Sequence, residues 1–221
     1  MRKLILSICL FQFYFIASAQ ESKWGVSFTP AIILSTQLHY GLQTGIEYYI
    51  NEHLSILTEF AFTTAKNINP SYENSKYFRI KPELRYNFPE SKWGLHTYTA
   101  FQLSYSYRKW EDQNGGIYFN HKLYDDSSVS YSSASIKSPI LTSSIQLGQT
   151  FSLSSHFTMD IFMGIGFRTI FTNYSNVQNP NKQPYYNIPR CKPPAPYPAY
   201  WLNGTVIRFH SNLGFRILYR F

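Results

Sequence analysis

Residues 205 to 221 read TVIRFHSNLGFRILYRF, and the character of the side chains alternates along this stretch. The positions from Thr205 onward in steps of two are mostly apolar, whereas the positions between them carry Arg208, Arg216 and Arg220. A helix would mix these two sets around its circumference, so the period of two predicts a strand with one apolar and one polar face.

The same alternation occurs in seven earlier segments, which gives eight predicted strands in all. These segments are residues 24–34, 39–50, 53–65, 77–88, 93–108, 139–151 and 157–171. Pro82 is the misfit, because a proline removes a hydrogen bond from the ladder between strands. We expect a local bulge at Pro82, and Pro30 raises the same question near the middle of the first strand.

The predicted connections differ in length on the two sides of the sheet. On one side, residues 51–52, 89–92 and 152–155 are short turns. On the other side, residues 66–76, 109–138 and 173–204 are longer loops, and only the connection at residues 35–38 is short. Because the strand number is even, both termini lie on the side of the short turns. This pattern is typical of an up-and-down antiparallel barrel.

The composition indicates which face of the barrel meets which solvent. Aromatic residues form 19% of the chain, charged residues only 14%, and the mean hydropathy of −0.26 is too polar for a bundle of membrane helices. The apolar face is rich in Phe, Tyr, Trp, Leu and Ile, and the polar face carries small glycines that suit a narrow lumen. We therefore predict an all-β, eight-stranded antiparallel up-and-down transmembrane β-barrel, with a soluble lipocalin-like barrel as the alternative.

The first residues predict secretion. Arg2 and Lys3 precede an apolar run from residue 4 to 16 and then Ala17-Ser18-Ala19, the order of a signal peptide with an A-x-A cleavage site. The expected domains are a signal peptide at residues 1–19 and an outer-membrane barrel at residues 20–221. Removing the two basic residues lowers the formal charge from +8 to +6. Because the chain is secreted, its basic pI of about 9.4 suggests anionic lipopolysaccharide as the counterpart rather than nucleic acid.

The pattern of strands resembles the small OmpA-like and OmpX-like outer-membrane barrels of Gram-negative bacteria. The resemblance covers residues 24–221 in pattern rather than in sharp motifs. Its ending, Tyr219-Arg220-Phe221, looks like the aromatic-x-aromatic signal that the barrel assembly machinery recognises. Tyr219 and Phe221 are therefore the candidate assembly residues.

The polar faces of the strands predict a network of charges in the lumen. Its acidic members are Glu47, Glu59, Glu83 and Asp160, and its basic members are Arg79, Lys81, Arg85, Arg108, Arg168, Arg208, Arg216 and Arg220. An eight-stranded barrel is just wide enough to be filled by side chains, so these charges must pair to offset their desolvation. We favour an internal salt-bridge plug over the alternative, a gated polar path.

The sequence contains no convincing catalytic or metal-binding motif. His210-Ser211-Asn212 is similar to the His-x-Ser-Asn stretch of lipid A deacylases, but adjacent strand residues point to opposite faces, which prevents a nucleophile–base pair. The histidines lack metal-ligand spacing, and Gly115-Gly116 precedes no helix that would bind phosphate. We expect no catalytic residue, cofactor or metal.

The long loops carry the candidate recognition residues. Residues 179–200 read NPNKQPYYNIPRCKPPAPYPAY, a proline-rich stretch that favours extended conformations without a core of its own. The residues that could contact carbohydrate or another protein are Tyr185, Tyr186, Tyr197, Tyr200 and Trp201. The alternative is that they belong to a stiff solvated loop or to an aromatic belt at the membrane surface. Cys191 lies in the same stretch.

The sequence predicts location and architecture better than activity. The expected protein is a non-enzymatic outer-membrane barrel with both termini in the periplasm, which is structural or presents extracellular loops for recognition or adhesion. Its expected partners are outer-membrane lipid, lipopolysaccharide, the barrel assembly machinery and an unidentified extracellular ligand. The alternatives are a narrow passive, porin-like channel and a lipid-modifying enzyme.

Overall fold

The computed structural model describes residues 23–29, 41–63, 72–89, 96–119, 128–183 and 202–221. Every regular element in these ranges is a β-strand. In the same ranges there is no helix of the length and apolar character that a membrane-spanning helix needs.

Ten strand segments form one sheet within the described residues. They are β1 (Trp24–Thr29), β2 (Gly41–Tyr49), β3 (Leu54–Thr63), β4 (Tyr72–Asn87), β5 (His96–Phe119), β6 (Ser128–Lys137), β7 (Ile140–Ser152), β8 (Phe157–Gln178), β9 (Asn181–Gln183) and β10 (Leu202–Arg220). All neighbours pair antiparallel except for a short parallel contact of β10 with the end of β5. The predicted all-β class with antiparallel pairing is confirmed.

The sheet closes into a ring because β10 has a partner along both edges. One edge pairs with β8 from Gly204↔Thr172 to Tyr219↔Phe157, and the other pairs with β1 at Gly25↔Arg220 through Phe28↔Ile217. In the described part of the chain, the ring passes through β1, β2, β3, β4, β5, β7, β8 and β10.

β6 and β9 prolong two strands of the ring rather than adding new positions to it. β5 pairs with β7 along its first half and with β6 along its second half, so β6 continues β7 beyond Ser138 and Pro139. β9 continues β8 beyond Asn179, whose φ of 49° turns the chain before Pro180. The ring is therefore extended on one side by a taller wall of β5, β6, β8 and β9.

This taller wall corrects the predicted loops. Residues 109–119 and 128–137 are strands although residues 109–138 were expected to form a loop, and the expected loops at 66–76 and 173–204 begin or end in strands at 72–76, 173–178, 181–183 and 202–204. Strand pairing overrides local pattern here because β5 and β8 supply partners for a polar, serine-rich segment. Pro30 and residues 30–40 lie outside the described residues.

The expected bulge at Pro82 is wrong. Pro82 pairs with Thr58 of β3, and the register of β4 with β5 is the same before and after it, from Ile80↔Tyr105 to Glu83↔Gln102. Lys81 and Pro82 have no register partners on β5. The N–H that proline lacks therefore falls in this gap in the pairing, and no extra residue is inserted. The register shift of this strand pair lies instead between Glu73 and Lys76.

Two tight turns close one end of the ring. Asn51 Oδ1 accepts the backbone N–H groups of His53 and Leu54 at 2.9 and 2.8 Å, and Ser154 Oγ accepts those of His156 and Phe157 at 3.3 and 3.1 Å. Asn and Ser favour such turns because their side chains hydrogen-bond to the nearby backbone. β1 begins and β10 ends at this same end, which we call the short-turn end.

The two faces of the ring have opposite character. The interior face buries charged and polar side chains, whereas large apolar side chains cover the exterior. On β8, for example, Ile165 and Phe167 are each 61% exposed, and Asp160 on the opposite face is fully buried. This arrangement inverts the usual distribution of a water-soluble protein.

Candidate functional site: the charged interior of the ring

Four carboxylates and three cations meet inside the ring, nearer to the short-turn end. The carboxylates of Glu47, Glu59, Glu83 and Asp160 are at most 1% exposed. Their cationic partners are Lys81, Arg85 and Arg216, which are also buried. We call these seven residues the central network. All seven were predicted as lumen residues from the period of two.

Arg85 joins three carboxylates from three strands. Its Nε lies 2.7 Å from Glu83 Oε1, its Nη2 lies 2.8 Å from Asp160 Oδ2, and its Nη1 lies 3.3 Å from Glu47 Oε1. A planar guanidinium presents five N–H donors in a fixed fork, so it holds several acceptors where an ammonium would act as a point charge. Arg85 thereby ties β2 and β8 to its own strand, β4.

Arg216 makes a second three-way junction from β10. Its Nε lies 2.8 Å from Asp160 Oδ2, its Nη1 lies 3.0 Å from Glu59 Oε2, and its Nη2 lies 3.3 Å from Glu83 Oε2. Lys81 adds a contact of 2.6 Å to the same oxygen of Glu59. The two arginines share Glu83 and Asp160, so the contacts connect both sides of the ring across its interior.

Neutral donors complete the coordination of the carboxylates. Tyr98 donates its hydroxyl to Asp160 at 2.8 Å, Gln102 donates its amide to Glu83 at 2.9 Å, and Ser55 donates its hydroxyl to Glu47 at 2.8 Å. Buried charges are tolerated only when their remaining hydrogen-bonding capacity is met in this way. These three donors are not part of the predicted charge network, although all three lie on the polar face that the alternation identifies.

Aromatic rings pack against the cations of the network. The guanidinium carbon of Arg216 lies 4.1 Å from the centroid of the Phe162 ring, and that of Arg85 lies 4.5 Å from the Tyr98 ring. Lys81 Nζ lies 5.3 Å from the centroid of Phe162. These are cation–π distances. The aromatic rings also fill the space that water would otherwise occupy between the charges.

Gly148 makes room for one of these rings. A Cβ atom at this position would overlap the ring of Tyr98, which is its register partner on β5. The absence of a side chain at Gly148 is therefore what allows the Tyr98 hydroxyl to reach Asp160.

Three of the predicted arginines lie farther from the short-turn end, outside the central network. Arg79, Arg168 and Arg208 are half-buried, and Arg168 and Arg208 are register partners on β8 and β10. Arg79 donates to the side-chain oxygen of Gln43. His210 is the next interior residue on β10, within electrostatic range of Arg168 and Arg79. This level of the interior is strongly basic.

An apolar cluster lies beyond the basic level. Buried members from four strands are Trp110, Ile136, Ile170 and Val206. Arg108 forms the boundary, with its Nη2 donating to Ser138 Oγ at 3.2 Å and its guanidinium carbon 5.9 Å from the Trp110 ring. Trp110 and Ile136 lie within the loop predicted at residues 109–138, so the sequence did not predict this cluster.

Arg220 lies at the rim of the short-turn end. It is exposed, and its guanidinium carbon stacks 4.2 Å from the centroid of the Tyr49 ring. Tyr49 in turn donates its hydroxyl to Glu47 at 2.9 Å. Arg220 therefore reaches the central network through Tyr49 rather than through an ion pair of its own.

The two predicted assembly residues also lie at the short-turn end. The rings of Tyr219 and Phe221 are 5.2 Å apart, and Tyr219 also contacts Phe157 with a centroid distance of 5.0 Å. Cys191 and the five candidate loop residues, Tyr185, Tyr186, Tyr197, Tyr200 and Trp201, lie outside the described residues.

At His210-Ser211-Asn212, the structure does not bring the histidine and the serine together as a base and a nucleophile. His210 is half-buried on the interior face, and Ser211 is exposed on the exterior face. The described part of the chain also lacks a group of three or more His, Cys, Asp or Glu residues with metal-binding geometry. What the interior arrangement does chemically is neutralise charge and hold strands together.

Comparison with known families places the chain among proteins described as "Protein of unknown function (DUF3575)". That family's model matches residues 8–187, which is more than half of the chain. The chain belongs to this family. The DUF3575 match includes β1 to β9 and ends before β10, and it lends no support to the OmpA-like and OmpX-like families. No curated protein and no solved structure matches the chain.

Proposed function

We propose that the protein is an integral outer-membrane β-barrel, similar to the small OmpA-like barrels, whose lumen is closed by the central network and whose long loops face the outside of the cell. Its role is non-enzymatic, either structural or in presenting loops to an extracellular ligand. The observation that carries the proposal is the inverted polarity of the ring, with charges inside and apolar side chains outside.

The exterior face matches what a bilayer requires. On β8 the outward residues from Ile161 to Phe171 are mostly large and apolar, and the neighbouring β10 presents Ile207, Phe209 and Leu213, which are 68%, 63% and 76% exposed. A transmembrane strand tilted by about 45° needs roughly 9 to 11 residues to cross the hydrocarbon core. The apolar stretch of β8 has this length.

Closure of the ring is the second supporting observation. Hydrocarbon cannot hydrogen-bond to backbone N–H and C=O groups, so a sheet crosses a bilayer only when it has no free edge. Because β10 pairs with both β8 and β1, the first and last strands of the sheet are joined and leave no free edge between them.

The interior supports a closed lumen over a channel. Arg85 and Arg216 extend across the ring to carboxylates on distant strands, and aromatic rings occupy the space beside them. The apolar cluster around Trp110 adds a second obstruction farther along the same axis.

Gel mobility in detergent tests the proposal. The protein, expressed with its first 19 residues in a Gram-negative host, is expected in the outer-membrane fraction and is expected to migrate faster unheated than boiled, because a closed barrel resists unfolding by detergent. Recovery in the soluble periplasmic fraction with no heat-dependent shift would contradict the proposal. Planar-bilayer recordings of the same preparation separate a closed barrel, which gives no stepwise conductance, from the alternative of a passive channel.

A further inference from the structure

The apolar exterior ends at one level on the side of the ring opposite the short turns. Tyr105 on β5, Leu141 on β7 and Phe171 on β8 are the last exposed large apolar residues of their strands in that direction, within the described residues. Farther along the same outward faces lie Lys109 and Asn173. In a membrane-inserted barrel, this change marks the boundary between hydrocarbon and headgroups.

Three lysines lie side by side just beyond this boundary. Lys76 of β4 is the register partner of Lys109 of β5, and Lys109 is the register partner of Lys137 of β6. Lys76 and Lys137 are exposed and Lys109 is half-buried. All three share the outward face of the sheet with Tyr105. Because strands are spaced about 4.8 Å apart, the row is on the order of 10 Å long.

Like charges directly opposite each other on neighbouring strands destabilise a sheet. None of the three lysines forms an ion pair or a side-chain hydrogen bond within the described part of the chain. The next outward residue on β5 beyond Lys109 is Glu111, and its register partner on β4 is Glu73, so two acidic residues lie beside three lysines. The three lysines still outnumber the two acids, so the row carries an excess of positive charge that an anionic group from outside the protein can neutralise.

We propose that this lysine row binds the phosphate groups of membrane lipids at the outer surface. The inference rests on the proposed membrane insertion and names the residues that would contact anionic lipid. Each ammonium offers three donors to phosphate oxygens, and the row lies at the depth where headgroups begin. Tyr105 and Tyr107, on the membrane side of the row, are suited to the same interface, where tyrosine side chains are enriched.

Lipid binding is compared between variants that lose positive charge from the lysine row and a control variant that loses one positive charge at the short-turn end. The variants are Lys109→Gln, the triple exchange K76Q/K109Q/K137Q, the same triple exchange to Arg, and Lys23→Gln as a control. Lys23 is exposed and lies at the short-turn end. Native mass spectrometry of the folded protein in neutral detergent measures retained phosphatidic acid against phosphatidylcholine.

The wild-type protein is expected to prefer phosphatidic acid. One lysine near a membrane surface contributes about a fivefold effect, so Lys109→Gln should lower the preference about fivefold and the triple Gln variant by up to about a hundredfold. The Arg triple variant and Lys23→Gln should keep the preference. If the triple Gln variant does not fold, the preference of the Lys109→Gln variant for phosphatidic acid still tests whether the lysine row binds lipid.

Two outcomes separate this inference from the proposed function. An unchanged preference for phosphatidic acid in a heat-modifiable Lys109→Gln or triple Gln variant overturns the lysine row while leaving the membrane barrel intact. A wild-type protein that stays soluble without detergent and shows no heat-dependent mobility overturns both.

Discussion

At the scale of single residues, Glu83 is one of the two carboxylates, with Asp160, that contact both Arg85 and Arg216. It lies 2.7 Å from Arg85 and 3.3 Å from Arg216, and it also accepts the amide of Gln102. Its loss would leave two buried guanidinium groups with reduced compensation, which costs more than the pair itself contributes.

Replacing Glu83 with Ala is expected to lower the free energy of unfolding by about 3 to 5 kcal/mol. Denaturant unfolding in detergent micelles, followed by tryptophan fluorescence, measures the change. Glu52→Ala is the matched control, because Glu52 is exposed in the turn between β2 and β3 and should shift the midpoint little. Equal midpoints for the two variants would show that water already reaches the network and would favour the channel.

The sequence predicted which charges face inward but not which charges meet. Parity along each strand is a local property, so the alternation placed Glu47, Glu59 and Asp160 on one face, and all three are buried inside the ring. Pairing depends on the register around the whole ring, and Arg216 contacts Glu59 although 157 positions separate them in the chain. Local pattern contains no information about such contacts.

At the scale of elements, the wall of β5, β6, β8 and β9 extends the ring beyond its apolar exterior. A small cluster of Ile117, Tyr131 and Ala134 stabilises it from the inside. The segment at 128–137 escaped prediction because both of its faces are rich in serine, which leaves no contrast for a period of two. The segment is a strand because β5 and β8 offer it partners, a tertiary effect that a local reading does not contain.

The connection between β9 and β10 is expected to lie outside the cell and to be dispensable for folding. Residues 181–183 pair with β6, so the deletion that tests this prediction is limited to residues 184–200. The shortened protein should still reach the outer membrane and show heat-dependent mobility on gels. Loss of folded protein would show instead that the loop contributes to the barrel.

A membrane-impermeant maleimide gives an independent measurement on the same connection. It should label Cys191 on intact cells, because Cys191 follows β9 in the sequence and β9 lies at the end of the ring opposite the short-turn end. A Cys191→Ser variant provides the unlabelled control. Labelling that requires cell lysis would contradict this orientation and place the loop in the periplasm.

At the scale of the whole molecule, the proposed membrane barrel depends on one property, the inversion of polarity between interior and exterior. The central network and the apolar exterior are two consequences of the same alternation, since each strand contributes every second residue to one of them. A soluble barrel would need the opposite arrangement, with the apolar side chains inside.

A cysteine scan along residues 205 to 215 of β10 tests this property most directly. Single cysteines in a Cys191→Ser background are spin-labelled after insertion into lipid bilayers, and the collision rates with oxygen and with a water-soluble nickel complex are compared. Labels at 207, 209 and 213 should favour oxygen, as lipid-exposed sites do, and labels at 206, 208 and 212 should not. A scan without a period of two, or with the nickel complex favoured at 207, 209 and 213, would contradict the account.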